Sequence, residues 1–285
     1  MNNTSLTNKG DLVLIGGSED RQYKKEVLRN MVEAHQAQNI IVIPSATLYP
    51  MESSDDYSQA FHALGVKNVD VFDIRNNHQA NNTYSSEVLE QADLVFFTGG
   101  DPLRLINILN HSLLFNHIRY RHLYEQLTLA GSSAGAIVFA DMMVCTGRRE
   151  NGNGIDKSYK EYTQPCRGFG FIADFAIDTH FSSLEKMHDL LEFCCRNKIT
   201  RAAGIGHDTS MTLHPDNTFS VAGSGSVSLF SGSPFLFSHK VGGHPAGYLS
   251  MDGIRMSILR TGDSFDMKKW SVKNNLKVDD MANGI

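Results

Sequence analysis

The sequence predicts an α/β protein: a three-layer sandwich around a mostly parallel central sheet, with antiparallel strands added toward the C-terminus. Three observations predict it. Short apolar runs bounded by Gly, Pro or Ser recur at 12–15, 40–43, 69–72, 94–97 and 127–130. Amphipathic segments near 21–37, 53–64, 84–91 and 102–125 lie between them, so strands alternate with helices as βαβ units require. After Gly206 the pattern changes to alternating, Gly-punctuated strands at 210–213, 218–221 and 226–230.

Taken in order, the turns after the strands are the unusual part of the chain. The first strand runs into Gly16-Gly17-Ser18, which lacks the spacing of a dinucleotide or phosphate loop and reads as a tight turn beside a site. The second is followed by Pro44-Ser45-Ala46-Thr47, the fourth by Thr98-Gly99-Gly100-Asp101 and the fifth by Gly131-Ser132-Ser133-Ala134-Gly135. Ligands of parallel sheets gather at the carboxyl ends of the strands, so one edge is expected to carry the site. Segment 147–168 is rich in Gly, Asn, Lys and Arg without periodicity and predicts a long surface loop that could cover a substrate. Its basic residues Arg148, Arg149, Lys157 and Lys160 read as a solvated face. A strand-like stretch closes at His180, and a helix fits 184–196 with Leu184, Met187, Leu191 and Cys194 on one face. Residues 11–270 are expected to form one α/β domain, preceded by a disordered segment 1–10 and followed by a polar tail 271–285.

Bulk properties exclude several functions. The 285 residues, 41% of them hydrophobic, suffice for a full core. With 26 basic and 31 acidic residues the net charge is −5, so no positive field exists to gather nucleic acid or anionic lipid. The polar N-terminus and the lack of an uncharged apolar run of about 18 residues point to a cytoplasmic protein off the membrane. Cys145, Cys166, Cys194 and Cys195 have no CxxC spacing and are expected to be reduced, mostly buried thiols. His207 and His214 lack metal-ligand companions at useful spacing, so no metal is expected.

The chemistry-bearing residue is Ser133. A serine between two glycines at a strand-to-helix turn is held on a sharp bend with its hydroxyl exposed beside a helix N-terminus. Such a serine needs a base and two NH donors for the oxyanion. The NH of Ala134 can supply one donor, and Gly99 or Gly100 the second. His180, at a strand end, is the candidate base.

The ordered set Phe97-Thr98-Gly99-Gly100-Asp101, Gly131-Ser132-Ser133-Ala134-Gly135-Ala136, Asp178-Thr179-His180-Phe181 and Gly204-Ile205-Gly206-His207-Asp208 resembles the cyanophycinase-like serine peptidases (peptidase family S51), which include peptidase E, an aspartyl dipeptidase. The resemblance spans about 12–230. It implies a class I glutamine amidotransferase-like fold, Ser133 as nucleophile, His180 as base, and Gly100 and Ala134 as oxyanion donors. No cofactor is implied. The implied partner is a peptide or small aspartyl-containing substrate, and a homodimer is an expected assembly. Gly99, Asp101, Asp178, Thr179 and Lys186 fall on expected substrate-binding positions.

Several positions depart from the family pattern. Pro102 stands where cyanophycinases carry a glutamine, and Leu184, Lys186 and Asp189 occupy a stretch that in the family holds spaced arginines. Lysine keeps the charge but loses the bidentate fork that grips carboxylates. Thr209 replaces a glutamate, which leaves Asp208 as the favoured acid for His180 and Asp178 as the alternative. The implied activity is hydrolysis of amide bonds next to aspartyl residues through an acyl-enzyme. The altered arginines favour small aspartyl peptides over a polymer, and a peptide-binding homologue without turnover is the remaining reading.

Overall fold

A computed structural model of the chain describes residues 8–82, 84–143, 150–151, 154–155, 166–232, 236–238 and 249–273. The first half builds five strands, β1 (Leu12–Ile15), β2 (Asn39–Ile43), β3 (Asn68–Val71), β4 (Leu94–Phe97) and β5 (Thr128–Ser132). Between and after them lie α1 (Glu26–Ala34), α2 (Pro50–Ala63), α3 (Asn77–Asn82), α4 (Ser86–Gln91), α5 (Pro102–Leu109), α6 (Leu113–Tyr124) and α7 (Ala134–Ile137). The second half adds β6 (Met142–Met143), β7 (Glu150–Asn151), β8 (Gly154–Ile155), β9 (Cys166–Arg167), β10 (Ala176–Asp178), α8 (Leu184–Asn197), β11 (Arg201–Ile205), β12 (Thr209–Leu213), β13 (Thr218–Gly223) and β14 (Val227–Ser231). β15 (Leu236–Ser238), β16 (Leu249–Met251), β17 (Arg255–Leu259), β18 (Ser264–Asp266) and β19 (Ser271–Val272) complete the described elements.

The large sheet has the order β19-β18-β13-β12-β1-β5-β4-β2-β3. Strands β1, β5, β4, β2 and β3 are mutually parallel, whereas β12, β13, β18 and β19 pair antiparallel. The continuous apolar runs of β1, β2 and β4 are explained by burial on both faces, whereas the edge strand β3 is largely exposed. Val13, Ile15, Ile40, Val42 and Phe96 point into a core closed by α1 and α2 through Leu28, Met31, Tyr57 and Phe61. Their alternates Leu12, Leu14, Ile41, Val95 and Phe97 face the opposite core with Leu105, Leu109, Phe115, Ile118 and Phe139. The result is the expected three-layer α/β architecture.

The structure refines several expectations. The helical segment 102–125 is two helices, because His111 takes φ 61° and the Ser112 hydroxyl caps α6 by accepting from Phe115 N at 3.1 Å. The strand foreseen at 226–230 joins a second sheet, β10-β11-β14-β17, and not the antiparallel wing of the first. Helix α8 is rotated from the expected face: it buries Leu190, Phe193, Cys194 and Cys195, and Leu184 is 78% exposed. Residues 8–10 are tied down by Gly10 N to His122 O and Gln126 N to Asn8 O, both 2.8 Å, and the tail begins with a paired strand, β19. Cys194 and Cys195 are free thiols, but Cys166 is disulfide-bonded, against the expectation of reduced sulfurs throughout. Most of the loop 147–168, with Arg148, Arg149, Lys157 and Lys160, lies outside the described residues, as do Cys145 and 1–7. Among the described residues no helix is long and apolar enough to cross a membrane.

At the start of β1, Asp11 Oδ2 accepts from His35 Nε2 at 3.1 Å and from His214 Nδ1 at 2.8 Å, tying α1 and the end of β12 to the central strand. Burial would raise the Asp11 carboxyl, but the bonds and charges of His214 and His35 outweigh it and hold it well below the usual range. His35 moves up: burial opposes the shift, and Asp11 and the Met31 carbonyl overcome it. Ionised Asp11 therefore stabilises the fold above its unfolded value and loses that effect as pH falls through its folded value. Protonated His35 does so below its unfolded value and loses it as pH rises through its folded value. Asp11→Asn is expected to lower the melting temperature most between about pH 4 and about pH 6.5. Thermal denaturation across pH checks this, and a loss equally large at pH 9 contradicts it.

Candidate active site

The turn between β5 and α7 is sharp enough to require its glycines. A Cβ on Gly131 would stand 2.0 Å from the Gly135 carbonyl oxygen, and one on Gly135 would stand 2.2 Å from the Phe97 carbonyl oxygen. Between them Ser133 is held at φ 53°, ψ −114°, a conformation that costs a non-glycine residue about 1–3 kcal/mol and persists only where the surroundings impose it. The imposing contact is with the central strand, where Ser133 N donates to Ile15 O at 2.9 Å.

His180 arrives from the second sheet. It follows β10, takes φ 52°, and donates its backbone NH to Gly16 O at 2.8 Å, while Phe181 N donates to Ile205 O at 3.0 Å. The Phe181 ring fills the space a Gly204 side chain would need, with Cγ 2.3 Å from an added Cβ. The imidazole lies against Gly17, and its Nε2 is 2.8 Å from Ser133 Oγ. The structure thus brings together the two residues singled out as nucleophile and base.

Gly99 and Gly100 complete the same edge. A Cβ on Gly99 would sit 3.4 Å from the Ser133 Cβ, and Gly100, at φ 146°, backs onto the Ala46 carbonyl at 2.3 Å from an added Cβ. Among the described residues the NH groups of Gly100 and Ala134 have no hydrogen-bond acceptor, and Ala134 opens a helix whose first amides have no intrahelical partner. Both remain available to an oxyanion.

The expected carboxylates are occupied elsewhere. Asp208 is anchored by its NH to Gly17 O at 3.0 Å, and its side chain accepts from Asp20 N at 3.1 Å and Ser224 Oγ at 2.7 Å. That makes it a buttress of the loop after β1, since among the described residues it makes no hydrogen bond to His180. Asp178 accepts Lys186 Nζ at 2.8 Å on each oxygen, and Lys186 also donates to Thr179 O at 2.5 Å. Burial raises the Asp178 carboxyl despite the lysine. Asp101 caps α5 by accepting from Leu103 N at 2.8 Å and Arg104 N at 3.4 Å, and Thr179 is buried. Among the described residues no group of three or more His, Cys, Asp or Glu is arranged to hold a metal.

Two groups that act on His180 were given no such part in the sequence, where His207 was weighed only as a metal ligand and Glu19 was not singled out. His207 stands edge to face against it at 5.0 Å between centroids, and the buried Glu19 accepts the Ser132 hydroxyl at 2.8 Å. Burial lowers the His180 pKa, the charges of His207 and Lys186 lower it further, and Glu19 and Asp178 oppose them. The imidazole is therefore neutral near pH 7 and able to accept the serine proton.

Comparison with known proteins places these residues in a wider group. Residues 12–220 match the description of peptidase family S51. The chain is 30% identical over 273 residues to a cyanophycinase of Nostoc sp., covering 94% of this chain and 89% of that protein. It is 29% identical over 262 residues to a cyanophycinase of Geminocystis herdmanii, covering 91% of this chain and 94% of that one. A crystal structure of a peptidase from an acI-B1 Actinobacterium superposes with TM-score 0.66 at 20% identity, covering 91% of this chain and 97% of the other, a likeness of fold.

Gly17, at φ 89°, tests the packing of the base: an added Cβ would meet His180 Cε1 at 2.3 Å. Gly17→Ala is expected to cost about 1–2 kcal/mol of stability and to displace the ring, lowering turnover ~100-fold or more. Denaturation and single-turnover assays check it; an unchanged rate contradicts the placement of His180.

Proposed function

The chain belongs to peptidase family S51, and from that premise we propose that Ser133 and His180 hydrolyse amide bonds next to aspartyl residues in short peptides. The observation that carries this reading is the 2.8 Å contact between Ser133 Oγ and His180 Nε2 at a turn whose conformation the fold imposes. His180 takes the hydroxyl proton as Oγ bonds to the substrate carbonyl carbon. The NH groups of Gly100 and Ala134 receive the oxyanion, and the imidazolium protonates the leaving amine. Water, deprotonated by the same imidazole, then bonds to the acyl carbon, and as the bond to Ser133 Oγ breaks the imidazolium returns the proton to that oxygen.

Aspartyl preference is supported by the relatives named cyanophycinases and by a cation beside the base. Short substrates are supported by the groups around it. Leu184 is exposed and Pro102 opens α5, so neither position offers a guanidinium or an amide to a polymer. Lys186 has three donors, directed to both Asp178 oxygens and to Thr179 O, so a substrate carboxylate must share or displace Asp178.

Incubation with a serine-directed phosphonate is expected to label Ser133. Purified protein is expected to cleave aspartyl or isoaspartyl dipeptides faster than cyanophycin. Ser133→Ala should lower turnover about 10^4-fold or more while retaining binding. The acid limb of kcat/KM should lie below the ordinary histidine range, because lowering the His180 pKa keeps the base neutral to lower pH. No label and no cleavage of any acidic peptide would sink the reading.

Asp178→Asn removes the charge that competes for Lys186. It is expected to lower KM for aspartyl peptides with little change in kcat, and Lys186→Met to raise KM. Steady-state kinetics on one aspartyl dipeptide decide the matter, and an unchanged KM in both variants removes Lys186 from recognition.

A further inference from the structure

The mechanism above leaves unused a carboxylate buried beneath the elbow. Glu19, four residues beyond the end of β1, is 5% exposed. Burying a carboxylate costs several kcal/mol unless partners satisfy it, and here both oxygens are satisfied. Ser132 Oγ donates to Oε2 at 2.8 Å, and the Tyr57 hydroxyl donates to Oε1. Tyr57 is fixed by Phe96 and Phe61, with ring centroids 4.5 and 6.2 Å away, and Arg21 lies over its ring at 5.1 Å. Burial and the charge of Glu19 push the phenol well above its ordinary pKa, so it stays a donor. Two hydroxyl donors converging on two oxygens is the environment of an ionised, acceptor-only carboxylate.

The location gives this charge a task. Ser132 is the last residue of β5 and directly precedes Ser133, whose backbone NH is already held by Ile15 O at 2.9 Å. Glu19 therefore ties the elbow to the same β1 segment a second time, through side chains. The other carboxylates of the site are spent, Asp208 on Asp20 N and Ser224, and Asp178 on Lys186. The charged groups facing His180 are His207 and Lys186, which disfavour its protonation, and Glu19 and Asp178, which favour it.

We propose that Glu19 is the positioning carboxylate of this site: it fixes the elbow through Ser132, and its charge stabilises the imidazolium that His180 becomes on taking the Ser133 proton. Glu19 stays ionised throughout, since the proton passes from Ser133 Oγ to His180 Nε2 and on to the leaving amine. The assignment rests on the Ser133–His180 reading of the site.

Glu19→Gln keeps the shape and removes the charge. In the full-length protein it is expected to lower kcat ~100-fold with KM little changed, and to move the acid limb of the pH profile downward. A histidine NMR titration, with the signal assigned by His180→Gln, should show the His180 pKa falling. A folded Glu19→Gln protein whose His180 pKa does not move overturns the proposal, whether or not any peptide is cleaved. If Glu19→Gln does not fold, Ser132→Ala carries the test. It keeps the charge and breaks the tie, so kcat should fall with the His180 pKa unmoved, and unaltered kcat overturns the proposal. Absence of turnover in the unaltered protein defeats the peptidase reading instead, and the titration still decides the role of Glu19.

Discussion

Three consecutive carbonyls at the end of β1 hold the site together. Ile15 O, Gly16 O and Gly17 O accept the backbone NH groups of Ser133, His180 and Asp208 at 2.9, 2.8 and 3.0 Å. These residues come from β5, from the end of β10 and from the turn before β12, segments remote in sequence. They meet because β1 lies between β5 and β12 in the large sheet. The bonds are between backbones, so the distance between Ser133 and His180 is set by main-chain geometry, and the side chains only have to reach across. The glycines follow from that closeness. A Cβ on Gly16 would stand 1.9 Å from Gly206 O, which no relaxation of a side chain could relieve. Ser133 and His180 both sit at positive φ for the same reason, each forced through a bend by a bond to this short segment.

What could be read from the sequence and what could not divides along this line. The sharp turn between β5 and α7 and the Gly99-Gly100 turn were legible, because glycine at fixed offsets around a serine records steric demands that few other arrangements make. His180 was legible because it closes a strand-like stretch. The carboxylates were not: Asp101 and Asp208 lie in turns and Asp178 at the end of β10, where a short acidic side chain finds a nearby amide, cap or lysine as readily as a distant histidine. Glu19 was hidden for the opposite reason, since its partners Tyr57 and Ser132 are 38 and 113 residues away. The split of the helical segment 102–125 was hidden by periodicity, since buried residues continue on both sides of the break that Ser112 caps.

The electrostatics around His180 show a balance in which each charge already has a partner. Lys186 is answered by Asp178, and Glu19 by two hydroxyls. His207 packs edge to face against the imidazole, at 5.0 Å between ring centroids. Its charge, like that of Lys186, disfavours protonation of His180, while burial is the larger cause.

This arrangement bears on how an acidic substrate is selected. A free arginine fork would bind a carboxylate by direct addition, and the energy of that contact would appear undiminished in binding. At this site the ammonium is already saturated, so a substrate carboxylate gains only the difference between its own contact and that of Asp178. Burial raises the Asp178 carboxyl, which weakens the incumbent and enlarges that difference. Recognition by exchange is less discriminating than recognition by addition, which is why the proposed reading favours short acidic peptides over a clamp along a chain of charges.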